Sequence, residues 1–418
     1  MLLTSFALIF LVGLSLAAIF KAIKLPRIIG MLVGGIVLGP YVLDFLDSSI
    51  LNISAELRQM ALVIILIKAG LSLNLKDLKK VGRPAILMAF LPAAFEIAAC
   101  VVFAPLLLKV SYAEAAVMGA VLGAVSPAVV VPRMVQLMEE KYGTEKGVPQ
   151  MILAGSSLDD VFVIVLFTAF IGMAQGNGVS VLDVLNIPIA IVLGVLLGAA
   201  VGLALAWLFE IAANKNRPIR STVKAIILLA FAFVLMTVES LLKGIVSVSG
   251  LLAVMSMAIA VAMRSKSESN EKMQGKFGKL WLAAEVLLFV LVGAAVDITY
   301  TVKAGGFAVL LIFICLFFRS AAVWICMLGT KLNKKERLYC VLAYLPKATV
   351  QAAIGGVPLS LGLACGNIVL SVAVLSILIT APLGAILMDL TYKKLLKKEE
   401  STPPNESVNT VEQSENLA

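Results

Sequence analysis

The chain has 418 residues, of which 61% are hydrophobic and only 14% charged, against roughly half and a quarter in an ordinary soluble protein. With a mean hydropathy of +1.05, this excludes a string of soluble domains and describes a polytopic, all-α membrane bundle. There is no histidine and no GxxxxGK[ST] phosphate loop, so imidazole chemistry and an ATP-driven motor are both excluded.

The apolar pattern predicts thirteen spans: 2–20, 28–43, 56–74, 84–108, 112–137, 148–173, 181–210, 222–242, 245–263, 280–298, 305–329, 337–358 and 367–392. Each is read as crossing ~30 Å of hydrocarbon at about 1.5 Å per residue, the second being the shortest. The first span lacks a basic leader region, and its positive flank follows it, so it reads as a helix rather than a cleaved signal. The loops after odd-numbered spans, with their flanking turns and the C-terminal segment, hold 27 of the 34 basic residues. Lys21/Lys24/Arg27, Lys76/Lys79/Lys80/Arg83 and Lys331/Lys334/Lys335/Arg337 are examples, whereas the other loops hold only Lys109, Lys243 and Lys303. The positive-inside rule then places the N-terminus outside and the C-terminus in the cytoplasm. That asymmetry accounts for the net charge of +9 without a nucleic-acid or nucleotide partner. Residues 399–418 are polar and expected to be disordered. Cys100, Cys315, Cys326, Cys340 and Cys365 lie singly in apolar runs, so neither zinc nor disulfides are expected, nor any cofactor.

Ionisable groups at mid-bilayer cost a few kcal/mol on insertion scales, so each needs a partner or a task. Span three carries Arg58 and Lys68 near its ends, where snorkelling suffices. Span four carries Glu96 and span eleven Arg319, both near mid-span, and a buried ion pair between them is expected. Span five is interrupted by Ser126-Pro127 and again by Pro132. Proline removes a donor and breaks the helical ladder, which frees backbone carbonyls. Span six holds the adjacent acids Asp159 and Asp160 after Ser156 and Ser157, with no base nearby in that helix. Two neighbouring carboxylates can share a proton or hold a hard cation such as Na⁺ or Li⁺ among oxygen ligands. Glu239, Glu285 and Asp297 lie toward span ends and read as interfacial. Span twelve has the matching interruption, Pro346-Lys347-Ala348-Thr349-Val350-Gln351. Spans five and twelve run in opposite directions, and two such broken helices point to inverted repeats whose site lies where they cross. Ser126, Pro127, Ser156, Thr349 and Gln351 are the candidates that line it, and Lys347 is the charge that offsets the exposed helix ends. Two glycine series, Gly30/Gly34/Gly35/Gly39 and Gly194/Gly198/Gly202, have the spacing of close helix packing, within or between subunits.

These motifs, together with Leu375-Ser376-Ile377-Leu378-Ile379-Thr380-Ala381-Pro382, resemble the NHA-type sodium/proton antiporters of the monovalent cation/proton antiporter superfamily. The resemblance implies the NhaA-like fold with two crossed broken helices and a homodimer in the cell membrane, among lipids. It implies a core at 84–173 and 305–392, a dimerisation domain mainly at 1–74 and 222–298, and a linker helix at 181–210 within a transmembrane domain 1–398. It further implies exchange of Na⁺ or Li⁺ for H⁺ at Asp160, assisted by Asp159, without enzymatic chemistry. The strongly electrogenic bacterial relatives carry a lysine paired with the first aspartate where this chain has Arg319. With Glu96 as the partner of Arg319, Asp159 is expected to lack a basic partner. On the residues alone, K⁺/H⁺ exchange on the same fold and a gated cation channel stay open as alternatives.

Overall fold

The computed structural model describes residues 1–72, 82–175, 181–215, 218–242, 248–265 and 267–399. The predicted disordered tail beyond Glu399 and the predicted basic loop at Lys76/Lys79/Lys80 lie outside them. The described residues are helical, and their one β-type contact is an isolated bridge between Tyr142 and Lys398.

The first helices are α1 (Leu2–Ala22), α2 (Arg27–Leu38), the short α3 (Ser48–Asn52) and α4 (Ser54–Ser72). Then come α5 (Arg83–Met88), α6 (Leu91–Leu108), α7 (Tyr112–Leu122), α8 (Pro127–Glu139) and α9 (Val148–Gln175). The middle of the chain forms α10 (Val181–Asn214), α11 (Ser221–Leu242), α12 (Gly250–Arg264) and α13 (Ser267–Ala294). The last part forms α14 (Ile298–Cys326), α15 (Lys334–Ala343), α16 (Thr349–Gly355), α17 (Val357–Ser360) and α18 (Gly366–Leu395).

Among the described residues, nine stretches are long and apolar enough to cross a membrane. Four predicted spans fall short of that description for separate reasons. Helices α2 and α12 are apolar but short. Helix α4 carries Glu56, Arg58 and Lys68, and the α15–α16 run is interrupted. One boundary differs markedly: α13 begins at Ser267, well before the predicted start at 280. Its first residues are polar (Ser-Glu-Ser-Asn-Glu-Lys), so hydropathy alone reads them as loop.

The helices pack in two groups. In one, α6 lies against α7 and α14, while α9 contacts α5, α7 and α8, and α18 contacts α7, α8, α14, α15 and α16. In the other, α2 and α4 flank α13, and α12 is held between α4, α10 and α11. The two groups meet where α16 touches α4 and α13, and where α9 touches α10 and α12. The glycine series account for the close approaches within the second group. Gly30 faces the backbone of α1 at Leu16, and Gly35 and Gly39 face α13 at Val290 and Ala294. Gly194 and Gly198 lie on the backbone at Ser249 and Ala253, and Gly202 on Met257, so α10 and α12 meet without intervening side chains.

Two charged residues depart from the expectation of an interfacial position. Arg58 does not snorkel: it is buried, its Nε donates to Ser54 O at 3.2 Å, and its guanidinium lies against Gly356 just past the end of α16. A guanidinium at the carboxyl end of a helix offsets the partial negative charge there. Glu285 is likewise buried, and Arg27 Nη2 reaches its Oε2 at 2.9 Å.

Candidate functional site

The site is built on two helix interruptions that face each other. The first runs from Gly123 to Ser126 between α7 and α8, with Pro127 opening the second half. Proline suits the first turn of a helix because the amide it lacks would have no partner there. The second runs from Tyr344 to Ala348 between α15 and α16. Each break leaves main-chain groups without helical partners, and burial requires that they be satisfied elsewhere.

The two breaks satisfy each other. Ser126 N donates to Pro346 O at 2.8 Å, and Thr349 N to Ser126 Oγ at 3.5 Å. Gln351 Nε2 donates to Ala124 O at 2.9 Å and to Leu122 O at 3.4 Å. Lys347 N donates to Thr380 Oγ1 of α18 at 2.9 Å, and Val125 N to Asp159 Oδ2 of α9 at 2.7 Å. Lys347 Nζ also reaches Leu122 O, at the carboxyl end of α7.

Around this crossing lies a buried network of four charges. Arg319 Nη1 is 2.9 Å from Glu96 Oε2, and its Nη2 is 2.7 Å from Asp159 Oδ2. Lys347 Nζ is 2.7 Å from Glu96 Oε1 and 2.8 Å from Oε2. The remaining Arg319 donors go to the breaks: Nη1 to Gly123 O, and Nε to Tyr344 O at 2.9 Å. The expectation that Asp159 lacks a basic partner is therefore corrected. The guanidinium has a fork of donors, which lets one residue serve both carboxylates and two loose carbonyls at once. Glu96, in turn, has two cationic partners rather than one.

Asp160 stands apart. It is half-buried, its Oδ1 is buried without a hydrogen-bond partner, and no ion pair reaches it among the described residues. Glu96 and Asp159 balance Arg319 and Lys347, so Asp160 is the one carboxylate in excess. Of the other candidates, Ser126, Thr349 and Gln351 sit at the crossing as described, and Pro127 begins α8. Ser156 is buried, but its Oγ donates back to Leu153 O at 3.1 Å within its own helix.

Residues 6–390 match the family model described as "Sodium/hydrogen exchanger, transmembrane". The chain belongs to that family. Sodium/hydrogen exchanger 9B2 of Homo sapiens is 34% identical over 395 residues, which cover 92% of this chain and 72% of that protein. Sodium/hydrogen exchanger 9B1 of Homo sapiens is 32% identical over 387 residues, 90% of this chain and 73% of that protein. The sodium proton antiporter MjNhaP1 of Methanocaldococcus jannaschii has the same fold, with a TM-score of 0.79 over 94% of this chain and 98% of that one, at 21% identity.

A sodium/hydrogen exchanger is a transporter rather than an enzyme, and the chain is accordingly a multi-pass membrane protein with Na⁺ and H⁺ as the transported species the family implies. In this exchanger three contributors escape sequence reasoning. Tyr344 closes α15 and gives its carbonyl to Arg319, Thr380 caps the amide of Lys347, and Gly155 receives the Tyr344 side chain. Only Thr380 had a signal, as a hydroxyl two residues before Pro382 in an apolar span.

Proposed function

We propose that this exchanger carries Na⁺, or Li⁺, in one direction and H⁺ in the other by alternating access at Asp159 and Asp160. The observation that carries the reading is the charge balance. Four buried charges cancel, and Asp160 is left as an unpartnered carboxylate beside Asp159. An excess charge in a water-poor site is costly unless a counter-charge removes it. A proton bound to the carboxylate, or a cation held by it, removes it equally well. The two ligands therefore exclude each other, and that exclusion couples the two fluxes.

Asp159 shares the cation through the oxygen that Arg319 does not occupy, and Arg319 holds that carboxylate in place. The opposed breaks offer carbonyl dipoles rather than continuous helix, so the site sits where backbone polarity is available at mid-membrane. The helices of the first packing group, at 84–173 and 305–392, form the moving core. Those at 1–74 and 222–298 form the part that stays fixed in a homodimer of the cell membrane, with the helix at 181–210 between them. The N-terminus lies outside and the C-terminus inside.

The test is proton flux in proteoliposomes with an imposed pH gradient, to which Na⁺, Li⁺ and K⁺ are added in turn under a clamped membrane potential. Dissipation by Na⁺ and Li⁺ but not K⁺ is the expected result. Dissipation by K⁺ alone would move the function to potassium exchange, and cation flux without proton counter-flow would make the protein a channel.

A further inference from the structure

The side chain of Tyr344 has no part in the charge network, yet its position is closely defined. Its carbonyl accepts from Arg319 Nε at 2.9 Å, and the Arg319 Cζ stands 5.5 Å from the centre of its ring. The ring is buried and runs from the second break toward α9, where it meets Gly155. A Cβ on Gly155 would stand 3.4 Å from Tyr344 Cζ and would overlap the hydroxyl oxygen itself. Glycine at 155 is thus what makes room for the hydroxyl.

That hydroxyl is buried and has no hydrogen-bond partner among the described residues. Phenylalanine would pack the same space, and a buried tyrosine hydroxyl is normally matched to a polar partner. The neighbours supply a reason for it. Gly155 and Asp159 are four residues apart on α9, so they lie one above the other on the same face, about 5–6 Å apart. Asp159 Oδ2 is occupied by Val125 N and Arg319 Nη2, whereas Asp159 Oδ1 and Asp160 Oδ1 are buried and unpartnered. Tyr344 Oη, seated at Gly155, and Asp159 Oδ1 are thus two unpartnered buried oxygens whose positions on α9 are one turn apart, with Asp160 Oδ1 one residue beyond. A separation of that size is bridged by one particle contacting an oxygen at each end, at roughly 2.3–2.8 Å per contact.

We propose that Tyr344 Oη is a neutral oxygen ligand of the transported cation, acting directly or through one water that the cation keeps, alongside Asp159 Oδ1 and Asp160 Oδ1. The inference rests on the exchange reading above and extends it by one residue. A neutral ligand adds affinity for the cation without changing the charge balance that makes proton and cation alternatives. Its removal should weaken cation binding while leaving turnover of the loaded carrier intact.

The test compares wild type, Tyr344→Phe and Asp160→Asn in proteoliposomes, measuring Na⁺-driven proton flux against Na⁺ concentration. Tyr344→Phe keeps the ring against Gly155 and Arg319 and deletes only the hydroxyl. The expected result is a KM for Na⁺ raised about fivefold, the scale of one lost polar contact, with the maximal rate unchanged. The Na⁺-induced rise in Tm of the purified variant should shrink in parallel, a readout that does not depend on its starting stability. An unchanged KM and an unchanged Na⁺-induced Tm shift would overturn the assignment. In that case exchange by wild type, and its loss in Asp160→Asn, would show that the site reading itself still stands. Exchange that persists in Asp160→Asn would overturn that reading, and the Tyr344 assignment with it.

Discussion

Arg319 Nη2 lies 2.7 Å from Asp159 Oδ2, and the same guanidinium reaches Glu96 at 2.9 Å, with none of the three side chains exposed. One arginine therefore ties the acid of α9 to the acid of α6 and leaves Asp160 as the free carboxylate. Arginine suits this task better than lysine, because its charge is permanent and its donors diverge in a fixed plane. It holds Asp159 in place and does not itself release a proton.

Removing Glu96 takes from Lys347 its one ion-pair partner among the described residues and leaves Arg319 with Asp159 alone. Glu96→Gln is expected to cost about 3–5 kcal/mol, the range for breaking a buried pair. The double variant Glu96→Gln/Lys347→Met removes the stranded buried ammonium as well and should unfold at a higher temperature than the single one. Thermal unfolding of the two in one detergent decides this, and a double variant no more stable than Glu96→Gln would refute the charge argument.

The crossing depends on Gln351, whose amide nitrogen serves Ala124 O at 2.9 Å. Gln351→Leu leaves that carbonyl buried and unpaired, at a cost of about 1–3 kcal/mol. Leu122 O keeps Lys347 Nζ, so the damage should be confined to the first break. Amide exchange that accelerates at 123–126 but not in α6 is the expected pattern.

Gly198 lies on the backbone of α12 at Ala253. Gly198→Val forces α10 and α12 apart, and overpacking of this kind costs about 1–3 kcal/mol or more. Its effect should appear as lost thermal stability with the KM for Na⁺ unchanged, because the contact lies outside the charge network. A raised KM with normal stability would count against the packing account.

On the loop between α8 and α9, Glu140 accepts from Gln136 Nε2 at 2.6 Å and from Tyr392 Oη at 3.1 Å. The Gln136 bond and, after it, the Tyr392 bond hold the Glu140 carboxyl below the usual glutamate range. A depressed carboxylate contributes stability above its ordinary value near 4.3, and loses that contribution as pH falls through the lower folded value. The neighbouring contacts Gly143 N to Lys397 O and Glu399 N to Lys141 O, both 2.8 Å, should thus be equally protected from exchange at about pH 6 and pH 8. Protection that falls between those two values would mean that another group governs this loop.

Much of this architecture was legible in the residues. Long apolar runs, prolines at 127 and 346, and adjacent acids at 159 and 160 are local signals, and each marks a place where helix or bilayer rules are broken. What escaped was spatial. Arg319 and Asp159 are 160 positions apart, and no periodicity announces that the guanidinium which serves Glu96 also has a donor left for Asp159. The position of Arg58 escaped for a similar reason, since its environment is made by α16, far along the chain. Tyr344 carried no signal at all, because a tyrosine in an apolar helix is ordinary until Gly155 is seen to receive it.

Competition between proton and cation for Asp160 is tested by proton release on Na⁺ binding by the purified protein in weakly buffered solution. Wild type is expected to release protons as Na⁺ is added, and Asp160→Asn, folded to the same Tm, to release none. Undiminished proton release by Asp160→Asn would contradict that competition.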